Sequence, residues 1–267
     1  MTLPEWKPAM KEMLETLAAL VRKGGEIAML HHGRLSSVEH KADNSPLTEA
    51  DLAVDAFLCE ELARLFPDIP VVTEERAATH AAGFAGSRFF LVDPIDGTKE
   101  FVQSRGEFTV NIGLVENGLA VAGAVCAPAV GRLFAGATSI GAFEEPFSGG
   151  ERRNLSTKPV DNNALVVVAS RSHLTAETQA FIDANHVADL ANAGSSLKFC
   201  LLASGEADLY PRFGPTMEWD TAAGHAVLSA VGGSVEQISG EPLDYGKPDY
   251  RNPFFIAYTP GTIFRQA

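Results

Sequence analysis

The chain has 267 residues, 46% hydrophobic and 21% charged, enough to bury the core of one large domain or two small ones. Its 21 Lys and Arg stand against 34 Asp and Glu, a formal net charge of −13, which disfavours a nucleic-acid partner because such proteins present a basic face. Three scattered cysteines without a CxxC pair disfavour a disulfide framework or zinc ribbon, and no apolar run of about 18 residues or signal-like start is present, so a cytoplasmic protein without a transmembrane segment is expected.

Residues 8–30 carry Met10, Leu14, Leu17, Leu20, Val21, Ile27 and Leu30 at helical spacing, and Gly24-Gly25 predicts an interruption. Residues 48–66 predict a second amphipathic helix, capped by Thr48, with Ala50, Ala53, Val54, Phe57, Leu58, Leu62 and Leu65 as its buried stripe. Short β-branched or aromatic runs at 70–73, 89–92, 109–115 and 121–127 read as strands, each bounded by Gly, Pro or Asn. The softest stretch is 144–163, with Pro146, Ser148-Gly149-Gly150 and Asp161-Asn162-Asn163. It predicts a boundary between halves spanning 1–150 and 151–267. The second half reads as a strand over 164–169, helices over 175–185 and 197–205, and a strand over 208–210. A helix over 220–231 and strands over 234–237 and 254–258 complete it. Without a regular βαβ alternation, this order favours a layered, mixed α/β (α+β) architecture over a doubly wound parallel sheet.

Acidic residues recur where these elements begin or end. Glu74-Glu75 follows the run at 70–73, and Asp93-Pro94-Ile95-Asp96-Gly97-Thr98 follows the run at 89–92. Trp219-Asp220-Thr221 opens an apolar helix, and Asp51 begins the helix after Thr48. Pro94 biases Asp93 away from helical backbone, so the chain turns where two carboxylates three residues apart can aim at one point. Gly97 admits close backbone approach, and its N–H can meet a phosphate oxygen. Hard oxygen donors without histidine or cysteine suit Mg2+ rather than zinc. Four converging acids, Glu74, Asp93, Asp96 and Asp220, would need about two divalent ions, roughly 3.5–4 Å apart, to offset their repulsion and clamp an in-line phosphoryl displacement. Glu75 would remain to activate water, relayed through Thr98. Taken singly, each residue also has an ordinary reading: Glu74-Glu75 as a solvated loop, Asp220 as a helix cap, Asp93 to Gly97 as a plain turn, Asp51 as a first-turn acid.

The string Leu91-Val-Asp-Pro-Ile-Asp-Gly-Thr98, with Glu74-Glu75 before it and Trp219-Asp-Thr-Ala-Ala-Gly224 after it, resembles the inositol monophosphatase superfamily of Mg2+-dependent, lithium-inhibited phosphomonoesterases. The likeness runs from about residue 10 to about residue 258, with the motifs in family order. Asp96-Gly-Thr-Lys-Glu-Phe101, Asp43 to Asp51, Glu107 to Ile112, Ser170-Arg-Ser-His173, Gly194 to Cys200, Ala207 to Arg212 and Tyr245-Gly-Lys247 are most similar to its 3'(2'),5'-bisphosphate nucleotidase branch. The resemblance implies a layered α/β/α/β/α sandwich with the site in the cleft between the halves. Glu74, Asp93, Asp96, the Ile95 carbonyl and Asp220 would bind two Mg2+ ions, with Asp51 near the nucleophile or a third, weaker ion. Thr98 and Glu75 would activate the water, and the Gly97 and Thr98 amides would hold the scissile phosphate. Ser195, Lys198 and Arg212, with His173, would hold the nucleotide and its non-reacting phosphate, although an ordinary histidine fits position 173 equally well. The expected substrate is adenosine 3',5'-bisphosphate, acted on by a monomer or homodimer, with peripheral membrane association left open. The alternatives are an inositol monophosphatase, a fructose 1,6-bisphosphatase, or a non-catalytic divalent-metal-binding module, against which Glu75 and Thr98 argue.

Overall fold

The structure, a computed structural model, describes residues 6–34, 38–40, 46–79, 86–169 and 175–265. Helix α1 (Trp6–His31) runs unbroken through Gly24 and Gly25, where the sequence predicts an interruption. Packing explains the difference. A Cβ at Gly24 would lie 3.0 Å from Val110 Cγ1, and one at Gly25 would lie 2.9 Å from Cys126 Sγ. The glycines let the helix lie close on the sheet, and that contact outweighs their intrinsic cost of about 1 kcal/mol each.

Strands β1 (Val38–His40) and β2 (Pro46–Thr48) pair antiparallel and lead into α2 (Glu49–Leu65). The chain then makes β3 (Val71–Thr73), β4 (Arg88–Asp96), the short α3 (Thr98–Val102), β5 (Thr109–Glu116), β6 (Leu119–Ala127), β7 (Arg132–Ala137), β8 (Gly141–Pro146) and β9 (Arg153–Asn154). Strands β3 to β9 form a seven-stranded sheet in sequence order, with β3 and β4 parallel. The division expected at residues 150 and 151 falls between β8 and β9. Next come β10 (Leu165–Ala169), α4 (Ala176–Ala184), β11 (Val187–Asn192), α5 (Leu197–Ala203), β12 (Leu209–Arg212), α6 (Ala222–Ser229), β13 (Ser234–Gln237) and β14 (Phe255–Tyr258). Their strands make a five-stranded sheet ordered β11-β10-β12-β14-β13.

Alternation along β4 sets the layers. Phe90 and Val92 pack with Leu17, Val54 and Leu58 of α1 and α2, whereas Phe89 and Leu91 pack with Ala222, Ala226 and Phe199 of α6 and α5. The other side of α5 and α6 meets Val168, Tyr210 and Phe255 of the five-stranded sheet, whose far face carries Phe181 and Ile182 of α4. The result is the expected α/β/α/β/α stack. In α2 the inward face holds Ala50, Val54, Leu58 and Leu62 together with the buried Asp51 and Asp55, while Leu65 is exposed. The helix predicted over 220–231 is a 3₁₀ turn over Glu218–Asp220 followed by α6, with Thr221 between them. No helix among the described residues is long and apolar enough to cross a membrane.

Candidate active site

The site grows from the exit of β4. Continuing the alternation past Leu91 puts Asp93 on the face toward α6. The antiparallel register with β5 slips between Asp93 and Asp96, so the chain bulges at Pro94-Ile95, where proline has no N–H to give the ladder. Gly97 then takes φ +91, and a Cβ there would lie 2.5 Å from Ser195 Oγ and 2.9 Å from the Glu107 carbonyl. Only glycine fits that turn. Glu74 arrives independently. The parallel register pairs Thr73 with Val92, and one further step brings Glu74 level with Asp93. Its 3₁₀ turn is tied to α2 by Arg76, whose Nε donates to Asp55 Oδ2 at 2.8 Å.

Asp51 plays two parts. Its Oδ2 accepts from the Thr48 backbone N–H at 2.8 Å, closing a capping box in which Thr48 Oγ1 accepts from the Ala50 and Asp51 amides. Its Oδ1 accepts from the Thr98 hydroxyl at 3.3 Å, and that hydroxyl also lies 3.0 Å from the Ile95 carbonyl.

The second half supplies the remaining wall. Ser195 sits at φ +55, and its hydroxyl donates to the carbonyls of Asp96 at 2.8 Å and Glu107 at 3.1 Å. Lys198 is buried and donates from Nζ to the Ser195 carbonyl at 3.1 Å, with the Tyr210 ring 5.4 Å away. Arg212 donates to the Pro215 carbonyl at 3.0 Å, while its buried Nε has no hydrogen-bond partner among the described residues. Asp220 accepts the Met217 N–H at 2.8 Å. It ends the 3₁₀ turn just ahead of α6, a helix that lies so close to the sheet that a Cβ at Gly123 would fall 2.4 Å from the Ala223 carbonyl oxygen.

These groups share a cavity of about 340 Å³, the size of a small-molecule site. Glu74, Asp93, Ile95, Asp96, Gly97, Thr98, Ser195, Lys198, Arg212 and Asp220 all line it. Asp51 reaches it through Thr98, Glu75 follows Glu74 in the 3₁₀ turn but is not part of the lining, and His173 lies outside the described residues. The sequence reading missed Ser196, whose backbone N–H donates to Asp96 Oδ2 at 2.8 Å and whose hydroxyl donates to the Asp220 carbonyl at 2.6 Å. A lone serine beside a glycine carries no signal of such a contact. Tyr210 and Thr216 also line the cavity.

Burial pushes the Asp96 carboxyl up to about 6, with Lys198 pulling it down and Glu74 pushing it further up. The Asp220 carboxyl is likewise raised well above the usual range by burial and by repulsion from Asp96 and Glu74. Burial also lowers the Lys198 ammonium to about 8, against the attraction of Asp96. Crowded, desolvated carboxylates with only oxygen donors around them fit a hard divalent cation, whose charge relieves their repulsion. Among the described residues, no three acidic, histidine or cysteine side chains draw together tightly enough to cage an ion. Glu74, Asp93, Asp96 and Asp220 line the cavity without closing into a cage.

The inositol monophosphatase family, as a sequence pattern, matches residues 9–253. The chain belongs to that family. It is 42% identical to the 3'(2'),5'-bisphosphate nucleotidase CysQ of Escherichia coli K12 over 246 residues, 91% of this chain and 98% of the relative. It is 36% identical to the CysQ of Buchnera aphidicola over 237 residues, 88% of each chain. Among solved structures, CysQ from Bacteroides thetaiotaomicron superposes with a TM-score of 0.81 at 37% identity, covering 93% of this chain and 97% of that one. An IMPase from Thermotoga maritima superposes at 0.75 with 27% identity, covering 92% of each. The family and the layered fold read from the motifs are therefore those of the molecule, and membership implies a metal-dependent phosphatase.

Proposed function

We propose that this chain is a Mg2+-dependent 3'(2'),5'-bisphosphate nucleotidase that hydrolyses adenosine 3',5'-bisphosphate to AMP and phosphate. One observation carries the reading: a single cavity holds both the acids Glu74, Asp93, Asp96 and Asp220 and the cations Lys198 and Arg212. A phosphomonoester with one phosphate has no need of the second set, whereas a second phosphate calls for fixed cationic donors. The nucleotidase relatives at 42% identity support the same substrate class.

Glu74, Asp93, Asp96, the Ile95 carbonyl and Asp220 would hold two Mg2+ ions, with a third, weaker position near Asp51. Bound Mg2+ supplies charge neutralisation at the phosphoryl oxygens and the departing ribose oxygen. Thr98 orients the attacking water, taking a proton from it as its own passes to Asp51 Oδ1. The water oxygen bonds to phosphorus in line, the bond from phosphorus to the ribose 3'-oxygen breaks, and that oxygen takes a proton from solvent. Glu75 assists water activation from the turn behind Glu74. The Gly97 and Thr98 amides hold the phosphate under attack, while Lys198 and Arg212 hold the remote 5'-phosphate. Ser195, with its hydroxyl engaged by two carbonyls, contributes by holding the turn at Asp96. The reading puts the enzyme in the cytoplasm, where the free thiols Cys59, Cys126 and Cys200 stay reduced.

Phosphate release from adenosine 3',5'-bisphosphate and from inositol 1-phosphate, each titrated with Mg2+, tests the assignment. A higher kcat/KM on the bisphosphate, lost on chelation and in Asp96→Asn with folding intact, is expected. A preference for inositol 1-phosphate that survives Lys198→Ala and Arg212→Ala overturns it.

A further inference from the structure

We propose that Ser196 is a positioning residue that locks Asp96 and Asp220 into a set pair before an ion arrives. The inference rests on the metal-dependent reading above. Asp96 comes from the exit of β4 in the seven-stranded sheet, and Asp220 from the turn ahead of α6. Ser196 touches both. Its amide donates to Asp96 Oδ2 at 2.8 Å, and its hydroxyl donates to the Asp220 main-chain carbonyl at 2.6 Å, with Asp96 Oδ2 3.4 Å from the same hydroxyl. The residue is 1% exposed, so water does not compete for these bonds.

The hydroxyl has one proton, and the short bond to the Asp220 carbonyl takes it. Asp96 is therefore held by a backbone donor through one oxygen, which leaves the other for the cavity. Two carboxylates that repel would otherwise drift apart, and an ion would have to gather them at an entropic cost. The preceding residues set the aim of the amide. A Cβ at Gly194 would lie 2.5 Å from the Glu107 carbonyl, and Ser195 occupies the left-handed region at φ +55, a strained state for a side-chain-bearing residue. A loop built at that cost, delivering one residue onto both acids, is what preorganisation of a binding pair requires.

The test is Mg2+ binding, read by calorimetric titration and by the Mg2+-dependent rise in melting temperature, with steady-state kinetics beside them. Ser196→Ala is expected to weaken Mg2+ half-saturation about tenfold, while kcat recovers most of its value at saturating Mg2+. Ser204→Ala removes a comparably buried hydroxyl from the far end of α5, where it donates to Glu206 Oε1 at 2.7 Å and lies 3.1 Å from the Leu201 carbonyl. It should lower the melting temperature and leave Mg2+ half-saturation unchanged. Ser196→Cys keeps the size with a weak donor, so an intermediate affinity is expected. If Ser196→Ala does not fold, Ser196→Cys decides alone: weaker half-saturation supports the proposal, and an unchanged one overturns it. Ser196→Ala binding Mg2+ as the wild type does overturns this inference and leaves the functional reading standing. A wild-type protein that neither binds Mg2+ nor cleaves the bisphosphate overturns both.

Discussion

Thr98 donates its hydroxyl to Asp51 Oδ1 across 3.3 Å, joining the turn after β4 to the first turn of α2. Because the other Asp51 oxygen closes the capping box, this carboxylate cannot swing away from the hydroxyl. Thr98→Ala and Asp51→Asn should each lower kcat by about 10²–10⁴-fold while Mg2+ half-saturation moves little, and Thr98→Ser should retain most activity. The double variant should lose no more than the worse single one, as expected of groups acting as a unit. Additive losses in kcat would show that the two act independently.

Lys198 carries the clearest pH signature. Its buried ammonium, lowered to about 8, holds its charge below that pH and loses it above. Affinity for the bisphosphate should therefore fall as pH rises through about 8. Lys198→Arg should move that break upward, because a guanidinium stays charged. Lys198→Met should raise KM by about 10–100-fold, the worth of one charge-assisted contact, and remove the break. A pH-independent KM in the wild type between pH 7 and 9 counts against Lys198 as the phosphate holder.

His225 bears on stability rather than chemistry. Burial lowers its imidazole to about 4, and its Nδ1 lies 2.8 Å from the Tyr245 hydroxyl, which in turn donates to Thr221 beside Asp220. An unfolded histidine takes up a proton near pH 6.5, the folded one only near 4. Between these values the unfolded chain binds more protons, so stability falls as pH drops from about 6.5 to about 4, by about 3 kcal/mol in all. Urea unfolding at pH 7 and pH 4.5 should show a smaller loss for His225→Gln than for the wild type. Equal losses would place the acid sensitivity elsewhere.

Gly123 links the packing of the sheet to the site. A Cβ there would meet Ala223 backbone atoms at 2.4 and 2.7 Å, and main chain cannot turn aside as a side chain can. Gly123→Ala should lift α6 off β6, destabilise the protein by about 1–3 kcal/mol, and weaken Mg2+ binding because Asp220 moves with the helix. Thermal melts with and without Mg2+ check both parts. An unchanged Mg2+ response in a destabilised variant would separate the packing from the site.

The acids of the site were legible wherever the signal is local. Asp93, Asp96, Gly97 and Glu74 announce themselves because a strand exit, a proline and a glycine bend the chain within a few residues, and the capping role of Thr48 follows from the same short-range chemistry. The Gly24-Gly25 pair misled for the opposite reason. A helix break is a local expectation, whereas the continuity of α1 comes from a contact with Val110 and Cys126, far along the chain. Strands β7 to β9 escaped notice because runs such as Ala135-Gly136-Ala137 have little strand preference of their own and are held by their neighbours.

By itself, the sequence determined the kinds of donor present, their placement at the ends of elements and the family to which they belong, since these depend on residue chemistry and short-range backbone rules. Only the tertiary structure decided that Asp220 meets Asp96 through Ser196, and that the second Asp51 oxygen accepts from Thr98. Those contacts join segments far apart in the chain. The place of Asp220 depends on how closely α6 can approach Gly113 and Gly123, a property of packing that no stretch of residues carries alone.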